Sequence, residues 1–217
     1  SYIKLFSPSS KETMSIIDSQ LHETVLVQNE NDFYGYHACL LGPGLDINLS
    51  FKPSHCDYYV LDAGALCQST LNDYEEGIFT PHFGECEKLF SFPHEEHPFD
   101  SINKELIEVI QSKINNKQVI VLKGPSMFII TKEIIYIMDR GPSLLATAGT
   151  GDVLSGILVS LLSQGYSRLE ASILGTYLHA EAANYYMNNI SKDGMTASDL
   201  IDCIPHTFNK LREKNVN

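Results

Sequence analysis

Four short apolar runs, each cut off by a polar or glycine residue and each followed by a different kind of pattern, constrain this chain most. They are Ala38–Leu41, Tyr58–Leu61, residues 77–80 and residues 118–122. An apolar run of four or five residues bounded by turn signals marks a strand buried on both faces. Helical stretches are expected between them, at 63–71, from 86 to 92 and over 103–115. In the last of these Leu106, Ile107, Ile110 and Ile114 fall on one face. Strands alternating with helices give an α/β layer fold with a mostly parallel central sheet flanked by helices. Residues 2–6 add a strand and 11–21 a helix ahead of this region. After it, 128–131 and 134–138 read as a hairpin around Lys132 and Glu133. Helices over 153–164, 168–188 and 197–214 complete the chain. No repeat or linker divides it, so residues 1–217 are expected to form a single domain.

In open α/β sheets ligands collect outside the carboxyl ends of the strands. Gly44, Asp62, His82, Lys123 and Asp152 fall there in this reading. The most informative of these positions lies in Ala146-Thr147-Ala148-Gly149-Thr150-Gly151-Asp152, which runs straight into the apolar helix Val153-Leu154-Ser155-Gly156-Ile157. Free N–H groups at a helix start form an anion site. Gly149 and Gly151 carry no Cβ, so the backbone can approach a phosphate closely. Asp152 would then stand beside the anion, where a carboxylate can act as a base. The ordinary alternative is a capped helix, with Asp152 as the N-cap.

The net charge is −12, from 27 acids and 15 bases. Such a chain repels nucleic-acid backbones and anionic membranes, so neither is an expected partner. A phosphorylated ligand would have to be held locally, by helix amides and one or two lysines. No apolar run is long enough to span a bilayer, and no basic region followed by an apolar core marks a secretory signal. The five cysteines, Cys39, Cys56, Cys67, Cys86 and Cys203, are scattered and form no Cys-x-x-Cys pair. They read as reduced thiols of a cytoplasmic protein. No structural metal site is expected from them.

Each candidate also has an ordinary reading. Asp62 at a strand end can cap the next helix, and His82 can be a loop histidine. Lys123 can extend past a buried strand into solvent. His179 and Glu181 lie inside a helix and read as structural. His94-Glu95-Glu96-His97 resembles a metal motif but sits in a proline-broken acidic stretch without helical spacing, so it reads as a solvated loop. Tyr185-Tyr186-Met187 reads as packing or a subunit contact.

Taken in order, the segments resemble the NAD(P)H-hydrate dehydratases of the ribokinase-like superfamily. The segments are Gly42-Pro43-Gly44-Leu45, Val60-Leu61-Asp62-Ala63, Thr80-Pro81-His82-Phe83-Gly84-Glu85, Val121-Leu122-Lys123-Gly124, Leu145 through Gly156, Leu178-His179-Ala180-Glu181 and Met195 through Leu200. The resemblance runs over nearly the whole chain, and the Gly149-Thr150-Gly151-Asp152 block is its specific element. It implies a ribokinase-like fold and a lyase that returns hydrated NADH or NADPH to the dinucleotide, with ADP or ATP as phosphoryl donor and Mg2+ on the phosphates. By the same resemblance Asp152 is the general base and contacts the substrate with Gly44 and His82. The amides of Ala148, Gly149, Thr150 and Gly151 form the anion hole. Lys123, Gly124, Pro125, Ser126, Met127 and Gly151 border the adenine nucleotide. The family also implies a homo-oligomer working beside a hydrate epimerase, and no protein-held metal site. Three departures are visible. The family's glycine-rich first strand and helix do not precede Ser1, so the domain is expected to be incomplete at its N-terminus. The second carboxylate of Asp-Ala-Asp is Gly64, and the threonine after Lys-Gly is Met127. A small-molecule kinase of the same superfamily, or a nucleotide-binding protein without catalysis, would use the same residues.

Overall fold

The computed structural model describes residues 3–7, 10–21, 23–27, 35–45, 56–91 and 104–214. Six strands form one sheet in the order β3–β4–β5–β6–β7–β8: β3 Ala38–Leu41, β4 Tyr58–Leu61, β5 Gly77–Phe79, β6 Val119–Leu122, β7 Met127–Ile130 and β8 Ile135–Met138. The first four are mutually parallel, and β6–β7–β8 is antiparallel. β1 Ile3–Phe6 and β2 Thr24–Val27 make a separate parallel pair, joined through α1 Lys11–Asp18.

Side chains alternate across a strand, and here each face is buried by different helices. Leu61, Phe79, Ile120, Leu122 and Ile130 pack with Cys86, Leu89 and Phe90 of α3 (Phe83–Phe90) and Leu106 and Ile110 of α4 (Lys104–Lys113). Their neighbours Val60, Ile78, Val119, Val121 and Ile129 point the other way. They meet Leu154, Leu158, Leu161 and Leu162 of α5 (Thr150–Ser163) and Ala171 and Leu178 of α6 (Arg168–Asn189). Burial on both faces is why these strands read as continuous apolar runs. α5 and α6 approach closely at Gly175, where an added Cβ would lie 2.6 Å from Leu158 Cδ2. α7 (Ala197–Lys214) packs on α6 through a third cluster that includes Tyr186, Met195, Leu200 and Cys203. Tyr185 stacks on His206 at 4.3 Å, so the tyrosine pair packs helix against helix. Glu181 is 3.3 Å from Lys210 and serves the same helix pair.

Several sequence expectations shift at their edges. The helix expected over 63–71 splits into a 3-10 turn, Ala63–Ala65, and α2, Gln68–Asp73. Asp62 caps the turn, and the Leu66 N–H closes it on the Ala63 carbonyl at 2.9 Å. α3 starts three residues before the expected position, because His82 and Glu85 form a capping box. The histidine-rich stretch at 94–97 lies outside the described residues. The expectation of five reduced thiols is corrected: Cys39 and Cys56 are joined by a disulfide, with Cα atoms 6.2 Å apart. The parallel pairing of β3 with β4 brings Cys39, near the start of β3, beside Cys56 on the approach to β4, which scattered positions in a sequence do not reveal. Cys67, Cys86 and Cys203 lie outside this disulfide. No helix among the described residues is long and apolar enough to cross a membrane.

Candidate active site

The carboxyl ends of β3 to β6 lie along one edge, and the ladder continues beyond the strands. Asp62 donates its N–H to the Leu41 carbonyl at 3.0 Å, Thr80 to Leu61 at 3.0 Å, and Lys123 to Pro81 at 2.8 Å. His82 and Lys123 form a further parallel bridge. Asp62 and Lys123, 61 positions apart in sequence, therefore meet in one row.

Asp62 is the centre of that row. It is 1% exposed, yet its carboxylate is fully engaged. Oδ1 accepts from Lys123 Nζ at 2.7 Å and from the Ala63 N–H at 2.9 Å, and Oδ2 accepts from Ser155 Oγ at 2.6 Å. A buried carboxylate persists when it is paired and hydrogen-bonded in this way. The lysine does not extend into solvent. Its side chain is 21% exposed and its ammonium also stands 4.0 Å from Glu85 Oε2. Glu85 accepts the His82 N–H at 2.8 Å and returns its own N–H to His82 Nδ1 at 3.3 Å. Asp62 thus both caps and pairs, and His82 is an N-cap whose ring remains 60% exposed.

Above this row stands the start of α5. The helix begins at Thr150, three residues before the expected start, and its N-cap is Gly149 with φ +85°. That left-handed backbone suits glycine. Thr150 is buried, and its hydroxyl donates to the carbonyls of Leu145 at 2.7 Å and Thr147 at 2.8 Å, which locks the turn. Asp152 is therefore not the N-cap but an exposed residue of the first turn. Gly149, Thr150, Gly151 and Asp152 occupy the positions whose amides have no partner within the helix. The Thr150 N–H turns back to the Thr147 carbonyl at 3.3 Å. The positive end of the helix dipole falls at this point. A Cβ on Gly151 would sit 3.5 Å from Lys123 Nζ, so the ammonium borders the amides directly.

Behind the turn lies His179 of α6, 2% exposed. Its Nε2 donates to the Thr150 carbonyl at 2.8 Å, and its Nδ1 has no partner among the described residues. Burial pushes its pKa down to about 4, against the bond to Thr150, and the nearby Lys123 charge adds to the depression.

The other expected residues fall around this core. Gly44 is exposed in a turn closed by the Leu45 N–H on the Gly42 carbonyl at 2.9 Å. That turn abuts the Asp62 segment: a Cβ on Gly42 would lie 1.6 Å from the Asp62 carbonyl oxygen, and one on Gly64 would lie 2.2 Å from the Leu45 oxygen. Gly124 and Pro125 are exposed after Lys123. Ser126 Oγ donates to Asp139 Oδ1 at 2.8 Å, tying the β6–β7 turn to the exit of β8. Met127, 9% exposed, opens β7 and packs in the α5–α6 core. Ala148 is exposed ahead of the helix. Outside Asp152 a groove of about 570 Å³ runs along α5 and α7, bordered by Gly149, Val153, Ala197 and Phe208. Thr80, Glu85 and Ser155 lie in the segments that carry the resemblance, but the sequence assigns them no role. Ser155 lies one helical turn after Gly151, but that spacing acquires meaning only once α5 is seen to start at Thr150.

The site suits a phosphorylated ligand. It offers N-terminal amides, an adjoining ammonium, and at Gly151 a backbone without a side chain beside that ammonium. No group of three His, Cys, Asp or Glu side chains among the described residues could hold a metal ion.

A family model described as NAD(P)H-hydrate dehydratase matches residues 8–206. The bifunctional NAD(P)H-hydrate repair enzyme of Dictyoglomus turgidum is 33% identical over 197 residues, which is 84% of this chain and 37% of that protein. The chain spans little more than a third of the length of such bifunctional relatives. The crystal structure of the ADP/ATP-dependent NAD(P)H-hydrate dehydratase from Bacillus subtilis, co-crystallised with ATP and Mg2+, matches with a TM-score of 0.80 at 26% identity over 95% of this chain and 79% of that one. A ribokinase-like superfamily protein from Enterococcus faecalis shares the fold, with a TM-score of 0.76 at 19% identity over 96% of this chain and 77% of that one. With the helix-start turn and its sequence block in place on a ribokinase-like α/β sheet, the chain belongs to the NAD(P)H-hydrate dehydratase family.

Proposed function

We propose that residues 1–217 act as one dehydratase domain that returns hydrated NADH or NADPH to the dinucleotide, using ADP or ATP. The observation that carries this reading is the meeting of the Gly151 amide, the Lys123 ammonium and the exposed Asp152 carboxylate at the start of α5. Family membership and the ATP-bound Bacillus subtilis relative support it.

The ring hydroxyl of a hydrated nicotinamide leaves poorly. In this reading Asp152 accepts the hydroxyl proton as the oxygen attacks the terminal phosphorus of the nucleotide. One P–O bond forms and the bond to the leaving nucleotide breaks. The amides of the 148–151 turn and Lys123 stabilise charge on the phosphoryl oxygens. Phosphate then departs with the C–O bond electrons, pushed by the ring nitrogen, and loss of the neighbouring ring proton restores the dihydropyridine. Gly44 and His82 face the dinucleotide, while Gly124 to Met127 border the adenine nucleotide. Mg2+, carried by the phosphates and water, would supply charge neutralisation. The relatives named bifunctional repair enzymes support a second activity working beside this one; we read it as the hydrate epimerase that the family resemblance implies, and the domain as a homo-oligomer.

The test is recovery of the dihydronicotinamide absorbance from hydrated NADH with ATP or ADP. Asp152→Asn should abolish recovery while nucleotide binding and fold persist, because the side chain is exposed. Unchanged turnover in that variant removes Asp152 from the chemistry. A stable phosphorylated product without recovered NADH would instead identify a small-molecule kinase.

A further inference from the structure

His179 is a buried polar group that the chemistry above leaves unused. Nothing in packing alone calls for a histidine here, since a leucine of similar volume would avoid an orphaned Nδ1. The group it touches is specific. The Thr150 carbonyl and the Gly151 N–H belong to one peptide unit. Carbonyls in a helix point toward its C-terminus and N–H groups toward its N-terminus. The His179 Nε2–H therefore grips the rear of the peptide whose front faces the cradle, at 2.8 Å. A donor on a carbonyl oxygen polarises the amide and strengthens its N–H as a donor in turn. The bonds of the Thr150 hydroxyl to the Leu145 and Thr147 carbonyls hold the same residue by its side chain, so the peptide is fixed while its N–H stays open to the cradle.

We infer that His179 is a positioning residue: it fixes and polarises the Thr150–Gly151 peptide so that the Gly151 N–H binds the transferring phosphoryl group. This rests on the phosphoryl-transfer reading of the site. Nε2 carries the proton because Thr150 O can only accept, and the ring stays neutral in the closed interior.

Two variants separate this role from simple packing. His179→Leu keeps volume and removes the donor. His179→Gln keeps an N–H donor at the place of Nε2. Loss of a whole oxyanion-hole donor costs about 100-fold or more, and loss of one donor's aim and polarisation should cost about tenfold in kcat with KM for the hydrate little changed. In His179→Leu the Gly151 amide nitrogen resonance should move upfield, and its shift on adding inorganic phosphate should shrink. His179→Gln should recover both signals and most of kcat. A folded His179→Leu with an unchanged Gly151 resonance and phosphate response overturns the inference. So does a His179→Gln as impaired as His179→Leu, which would assign the ring to packing. If the wild-type protein gives no nucleotide-dependent NADH, the proposed function fails. The Gly151 resonance and its phosphate response still decide the role of His179.

Discussion

Replacing Lys123 with methionine would leave a buried carboxylate without its cationic partner. Asp62 is 1% exposed, and Lys123 Nζ at 2.7 Å is its cationic partner. Removing one partner of a buried pair costs about 3–5 kcal/mol because the remaining charge is uncompensated. Two effects move the expectation to the lower end. The Ala63 N–H and the Ser155 hydroxyl still donate to the carboxylate, and the 21% exposure of the lysine side chain leaves a path for water. Lys123→Met should therefore lose about 3 kcal/mol, or about 6–12 °C in Tm for a domain of this size. Asp62→Asn leaves an ammonium that can turn toward solvent and Glu85, and should lose about 1–2 kcal/mol. The double variant buries no charge. It should be more stable than Lys123→Met alone, with a coupling of at least about 1 kcal/mol in the cycle. Urea unfolding of all four proteins provides the measurement. A Lys123→Met loss below about 1 kcal/mol, additive with Asp62→Asn, would refute the reasoning and return Lys123 to the class of solvated surface ion pairs.

Stability should also depend on acid through His179. Its pKa is lowered to about 4 in the folded chain, while the unfolded chain binds that proton near pH 6.5. The unfolded state is thus favoured progressively as pH falls from about 6.5 to about 4, by on the order of 3 kcal/mol, and the contribution is flat above that window. Denaturation of the wild type and of His179→Leu across this range checks it, since the variant should lose most of the slope. Gly64→Asp, which restores the family's carboxylate, places a Cβ 2.2 Å from the Leu45 carbonyl oxygen. Backbone on both sides resists the shift, so a loss of about 3 kcal/mol is expected. A loss under about 1 kcal/mol would show that the two turns do not abut. Under denaturing, non-reducing conditions thiol titration should find three reactive cysteines and not five, because Cys39 and Cys56 are joined, and reduction should lower stability by about 3 kcal/mol for a loop of this length.

The sheet strands were legible because burial on both faces leaves nothing but apolar residues in a short run, as in residues 58–61 and 119–122. The turn proposed to take an anion stands out in the sequence because two glycines recur two residues apart beside an acid, but its boundaries were not legible. Asp152 looks like an N-cap to local rules, and only the left-handed Gly149, held by Thr150 against Leu145 and Thr147, moves the helix start three residues forward. The capping pair His82–Glu85 was hidden in the same way, since histidine is not among the favoured caps. Sequence by itself determined the layer order, the sheet edge that carries the candidate residues and the glycine-rich block proposed to take an anion, because each depends on the period or backbone freedom of neighbouring residues. Tertiary structure alone decided that Lys123 faces Asp62 rather than solvent, that Ser155 completes the carboxylate's partners, and that His179 backs the Gly151 peptide. Those contacts join positions 29, 61 and 93 residues apart, and no local propensity carries information across such distances until strands and helices are packed.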